Sequence, residues 1–165
     1  MNESLREMFR YHTWATLKLL DHCAALSPEQ LDETTPGTMG SIRDTFAHLI
    51  GADAGYQARM RGDSSLRIAD AHERPLNELR GIFVERSTGW EDVIDHLDEY
   101  DPLLAAAGDH PDVPHVRDLL LTQAIHHGND HRTHICTILG AHGHEVPETD
   151  AWMYWFETRN VPLTP

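Results

Sequence analysis

Histidine is the residue type with the most chemistry to offer in this chain: it occurs 13 times in 165 residues, far above its minor share of ordinary globular compositions. Two of these, His127 and His131, fall in a segment where Val116, Leu120, Ala124, Ile135 and Ile138 recur at helical spacing. They take places on the inward stripe where the pattern calls for apolar side chains. A helix brings side chains at i and i+4 together on one face, and imidazole is a common metal ligand. HxxxH on a helix therefore offers two arms to one divalent ion. Burying two unpaired rings side by side costs free energy with no evident gain, which favours metal over a hydrogen-bonded core pair. Gly128 follows His127, so the HExxH pattern of zinc proteases is absent.

Catalytic zinc takes three protein ligands and keeps a position for water or substrate, so a third arm must come from another helix. His12 lies on the inner stripe of the first predicted helix. His48 lies at the flank of the apolar face of the second, beside the small residues Ala52 and Gly55, and His96 stands among Asp95, Asp98 and Glu99 on a face that reads as solvated. Spacing does not decide between His12 and His48, and a single inward histidine is more often a hydrogen-bonded core residue than a ligand. His134 shares the face of His127 and His131, as an outer partner of a ligand or an extra ligand. His126 faces another way, toward the surface. His110, His115, His142 and His144 fall in or near breaks, where solvated loop histidines are the default.

Asp53, five residues after His48, is a candidate to orient a ligand from behind, the other reading being a solvated acid. Arg132 either meets an anionic substrate or lies on the surface, and the surface is the expectation. Cys136 is off the face of His131 and reads as a small apolar residue. With Cys23 far away in sequence, neither a thiolate metal site nor a disulfide framework is indicated. No Glu-x-x-His pair of the di-iron carboxylate kind occurs. The catalytic base or nucleophile stays unknown.

Long helices must position these groups. Leu5, Met8, Phe9, Thr16, Leu19, Leu20 and Cys23 recur at three and four, predicting a helix from Glu3 to about Ala25. Ser27-Pro28-Glu29-Gln30 opens a short turn of helix through Leu31. Ser41 caps a second long helix running to Arg61-Gly62-Asp63, and the polar segment Gly62 to Pro75 reads as a loop. A third helix is predicted from Leu76 to about Tyr100, stopped at Asp101-Pro102, with Gly81 and Gly89 each weakening it by roughly 1 kcal/mol relative to Ala. The fourth runs from about His115 to Leu139, before Gly140 and Gly143. The end of the chain, with Trp152, Tyr154, Trp155 and Phe156, is too apolar for a free tail; it is expected to fold back, roofing a pocket or covering a dimer interface. No hairpin pattern and no repeat is found. The expectation is an all-α fold, a four-helix bundle of up-down type with long connections, forming a single domain over 1–165.

Lys and Arg number 13 against 27 Asp and Glu, a formal net charge of −14. Such a surface repels phosphate backbones, so neither nucleic acid nor an anionic membrane is expected as a partner. The N-terminus carries charges where a secretory signal needs an apolar run, and no stretch reaches the ~18 apolar residues of a membrane span. A cytoplasmic location is expected.

Three segments carry a resemblance: Tyr11-His12-Thr13-Trp14-Ala15, the run from Ser41 to Asp53 (SIRDTFAHLIGAD), and His127-Gly128-Asn129-Asp130-His131-Arg132. In order and spacing they resemble the DinB/YfiT-like family, over nearly the whole chain. The resemblance implies a homodimeric four-helix bundle that holds a divalent metal with one histidine of the second helix and an HxxxH pair of the fourth. Carried over, the ligands are His48, His127 and His131, so the resemblance chooses His48 where spacing does not. Relatives include transferases that attach bacillithiol and isomerases that use mycothiol. The implied function is therefore a Zn- or Ni-dependent enzyme of thiol S-transferase or hydrolase type, acting on a small molecule with a low-molecular-weight thiol as cosubstrate; the alternative is a non-catalytic, metal-binding stress-response bundle. This chain departs from the family at two places: His12 stands where Asn is usual, and His131-Arg132-Thr133-His134 where His-Arg-Gly-Gln is usual. An extra imidazole at either place would change the metal's open positions.

Overall fold

In a computed structural model of the chain, residues 3–100 and 116–159 are described. Their regular structure is helical, with no strand: α1 (Glu3–Cys23), α2 (Pro28–Leu31), α3 (Ile42–Arg61), α4 (Leu76–Asp95), α5 (Arg117–Ala141) and α6 (Ala151–Thr158). Single 3-10 turns lie at Ser64–Leu66, Ala71–Glu73 and Leu97–Glu99.

The helix that carries His48 is fixed at both ends by local chemistry. Ser41 Oγ accepts the Asp44 N–H at 3.1 Å and Asp44 accepts in return from the Ser41 backbone and hydroxyl, so two N–H groups that a helix start leaves without partners are served. At the other end Gly62 takes the left-handed conformation, φ +65°, which glycine adopts at little cost. A second capping box, Ser27 with Gln30, opens α2 with Pro28 in the first turn. Asp150 caps α6 by accepting the N–H groups of Trp152 and Met153.

Each of α1 and α3 packs against both α4 and α5. Two apolar clusters divide the interior along the helix axes. The first gathers Leu19, Leu20 and Cys23 from the end of α1, Ile42, Phe46 and Ile50 from the start of α3, Leu76, Leu79 and Phe83 from the start of α4, and Ile135 and Ile138 from the end of α5. The second gathers the opposite ends: Phe9, Tyr56, Met60, Trp90, Val93, Ile94, Leu120 and Leu121. The helices consequently run up, down, down, up in chain order, so the strict alternation of an up-down arrangement is replaced by parallel α3 and α4. That arrangement requires the segment 62–75 to travel back along α3. A 20-residue helix is about 30 Å long, within reach of that segment at about 3.3 Å per residue. Both of its 3-10 turns lie against α3, and Ile68 and Ala71 join the first cluster; the expected plain loop is a packed crossover.

Other boundaries moved for identifiable reasons. The third long helix stops at Asp95 rather than Tyr100, because His96 leaves helical geometry at φ −107°, ψ 18° and the chain continues as a 3-10 turn. The predicted stop at Asp101-Pro102 and the predicted start at His115 lie outside the described residues. The fourth long helix continues through Gly140 to Ala141. The C-terminal aromatics do fold back, as α6 against α1, with Tyr154 buried beside the rings of Tyr11 and Trp14. Trp152 and Trp155 stay 76% and 47% exposed, so neither ring is buried by the fold.

Candidate metal centre

Antiparallel packing of α3 and α5 sets His48 opposite the His127–His131 pair. His127 Nε2 lies 3.0 Å from His48 Nε2 and 3.0 Å from His131 Nε2, and one nitrogen from each ring lies within 4.8 Å of the other two. A neutral imidazole nitrogen carries either one N–H or one lone pair, so His127 Nε2 cannot form a well-aligned hydrogen bond to both neighbours. The three nitrogens are placed so that they could hold one shared ion. Two nitrogens each about 2.1 Å from a zinc ion would stand about 3.0 Å apart at a right angle and about 3.4 Å at the tetrahedral angle, and the two contacts of His127 Nε2, at 3.0 Å each, fall at the short end of that range. Three imidazoles are also a donor set suited to Zn and Ni.

Electrostatics keep these rings ready to donate lone pairs. Burial, then the neighbouring imidazoles His131 and His48, pushes His127 down to about 4. Burial, then His48 and His134, brings His131 to about 4. His48 is lowered by burial and by nearby His72. All three are neutral at pH 7, so protons do not compete for the lone pairs there. Tyr56 stands edge-on to the His127 ring at 5.7 Å, and its hydroxyl accepts a long 3.5 Å bond from Gln123.

Behind the three histidines lies a buried polar network. His12, Asp53 and Arg132 are 1%, 3% and 4% exposed. Arg132 Nη1 donates to His12 Nδ1 at 3.2 Å and to Thr16 Oγ1 at 2.9 Å, and Nη2 donates to Asn129. Since guanidinium can only donate, His12 Nδ1 is the acceptor and the ring proton sits on Nε2. That nitrogen lies 3.2 Å from Asp53 Oδ1, an off-axis contact between a neutral ring and a carboxylate; burial lowers His12, against the pull of Asp53. Asp53 also accepts from Trp90 Nε1 at 3.1 Å and from Gln57 Nε2 at 3.1 Å.

Gly128 makes this network possible. A Cβ there would come within 2.3 Å of His12 Cε1, 2.4 Å of His12 Nδ1 and 3.0 Å of Arg132 Nη1. The residue that removes the protease pattern is thus the seat for an imidazole of α1.

The other predicted residues are now placed. Arg132 is not on the surface: it donates to His12 and Thr16 of α1 as well as to Asn129 of its own helix, and it is among the buried polar groups described. Asp53 is not solvated, and its oxygens face Trp90, Gln57 and His12. His134 stacks edge-on to His131 at 5.4 Å with its Nδ1 buried and without a hydrogen-bond partner, outside the three-histidine group. His96 and His126 are exposed, near Asp92 and Asp130. His142 reaches Thr34 O at 2.9 Å and His144 reaches Glu33 at 2.7 Å, tying the end of α5 to the segment after α2. His110 and His115 lie outside the described residues. Cys136 is half-buried against the first cluster, its thiol pushed up by burial. Sequence reasoning missed Trp90 and Gln57 as partners of Asp53; Gln57 at i+4 was the one available signal.

Among the described residues no helix is long and apolar enough to cross a membrane. A search among curated proteins finds no match. The model of the DinB family matches residues 1–160, and the chain belongs to that family.

Proposed function

We propose that this DinB-family chain is a single-domain four-helix bundle that binds a divalent ion, Zn²⁺ or Ni²⁺, through His48, His127 and His131 and acts as an enzyme on a small molecule, by thiol S-transfer or hydrolysis. The observation that carries the metal reading is the pair of 3.0 Å contacts converging on His127 Nε2, which hydrogen bonding alone does not satisfy. An ion held there lowers the pKa of a bound water or thiol toward neutrality. The chain supplies three neutral donors and a buried shell behind them. It leaves the remaining positions to solvent or substrate: both nitrogens of His12 face Arg132 and Asp53, so His12 is not a fourth ligand. Tyr56 stands edge-on to the His127 ring at 5.7 Å, the nearest phenol described beside the three histidines. A homodimer in the cytoplasm, without nucleic acid or membrane partners, is part of this reading.

The test is the visible spectrum of the Co²⁺-substituted protein titrated with small thiols. A new thiolate-to-cobalt absorption with changed d–d bands supports an open site and thiol chemistry. A Co²⁺ spectrum unmoved by thiols and by small anions points to the non-catalytic metal-binding reading instead.

A further inference from the structure

We propose that His12, Asp53 and Arg132 are positioning residues of the metal centre: their buried network sets the rotation of α5 about its axis, and through it the aim of His127 and His131. The inference rests on the metal reading above and goes beyond it by assigning a task to groups that touch no ion.

Four observations carry it. Contacts of the network with α5 fall on Gly128 and Arg132, each the immediate neighbour of a ligand, within the same two turns. The seat is tight, because even one added carbon at 128 would meet the His12 ring at 2.3 Å. The ring itself has little slack: Arg132 donates to its Nδ1, Asp53 Oδ1 stands 3.2 Å from its Nε2, and Phe9 and Phe83 stand against it at 6.3 and 6.2 Å between centroids. Finally, the network reaches every long helix, with His12 and Thr16 on α1, Asp53 and Gln57 on α3, Trp90 on α4 and Arg132 on α5.

Geometry makes that control consequential. A side chain near the rim of a helix lies about 6 Å from its axis, so a turn of about 10° moves it by about 1 Å. Metal–ligand distances tolerate about 0.2 Å. A buried charged network is weak as a source of stability compared with an apolar core of equal volume. Specifying one rotation of α5 gives it a purpose that stability does not.

The experiment compares the whole protein with His12→Phe, which keeps the wedge against Gly128 but loses both polar contacts, with Asp53→Asn, and with His12→Gln, whose amide can accept from Arg132. Three readouts are taken on each: helical circular dichroism of the metal-free protein, the Zn²⁺ dissociation constant by competition with a chromophoric chelator, and the Co²⁺ visible spectrum. Expected is a 10–100-fold weaker Zn²⁺ affinity in His12→Phe and Asp53→Asn, the scale for partners that orient ligands. Their Co²⁺ bands change and helical content is retained, while His12→Gln recovers at least part of the affinity. A merely structural role would lower the melting temperature and leave the Co²⁺ spectrum of the folded protein as it was. Folded variants with the parent's affinity and spectrum overturn the inference; if His12→Phe does not fold, Asp53→Asn and His12→Gln decide on the same readouts. A parent that binds no Zn²⁺ overturns the metal reading itself and this inference with it, whereas a binding parent with unaffected variants overturns this inference alone.

Discussion

Replacing Gly128 by alanine probes the close seat of the His12 ring on α5. On helix propensity alone the change gains about 1 kcal/mol. Against this, the new methyl would occupy the place of His12 Cε1 and Nδ1, at 2.3 and 2.4 Å, and the ring is walled in at 1% exposure. Displacing it removes the bond from a buried guanidinium, worth about 1.5–3 kcal/mol for a charged partner, and adds overpacking of about 1–3 kcal/mol. The net loss is about 1.5–5 kcal/mol. At about 2–4 °C per kcal/mol for a domain of this size, the melting midpoint of the metal-free protein falls by roughly 3–20 °C. Thermal unfolding followed by circular dichroism measures it, with Gly81→Ala as control. Gly81 lies on the exposed face of α4 with nothing within 4 Å of an added Cβ, so that variant melts slightly higher than the parent. A Gly128→Ala protein that melts at or above the parent refutes the close seat of His12 on α5.

Arg132→Met removes the cation that faces Asp53 through His12. Loss of one partner from a buried charged network costs about 3–5 kcal/mol, seen as a lowered urea midpoint; a shift within 0.5 kcal/mol, roughly that of a surface substitution, would return Arg132 to the surface. Acidification should destabilise the metal-free protein well before its carboxylates titrate. His127 and His131 lie near 4 in the folded chain against about 6.5 unfolded, so between those values the unfolded chain binds more protons and stability falls as pH falls. Discounting for solvent around half-exposed His127, the pair loses about 1–3 kcal/mol between pH 7 and pH 5, with buried His12 acting in the same direction. Melting midpoints measured across that range check it, and a His127→Gln/His131→Gln protein with the parent's slope would refute the assignment.

Helical period and caps made the long helices legible: the ends of α3 were written by Ser41 with Asp44 and by Gly62, signals confined to a few residues. The HxxxH pair was legible for the same reason, since i and i+4 share a face whatever the tertiary structure. His48 was not separable from His12 by periodicity, because a helical stripe says which face is inward and not which helix it meets. Arg132 was misread on that account. Its charge suggests solvent, and what buries it is an imidazole and a hydroxyl more than a hundred positions earlier in the chain. The order up, down, down, up was hidden because it depends on the crossover 62–75, whose polar residues look like an ordinary loop while Ile68 and Ala71 hold it on the core.

The central claim is that His48, His127 and His131 hold one divalent ion. Elemental analysis of untagged protein purified without chelator, beside His48→Ala and His127→Ala, tests it most directly. About one equivalent of Zn or Ni per chain in the parent, lost in both variants while helical content is kept, is the result expected. A parent that carries no metal even after incubation with Zn²⁺ and Ni²⁺, or variants that keep it at full stoichiometry, would contradict the claim.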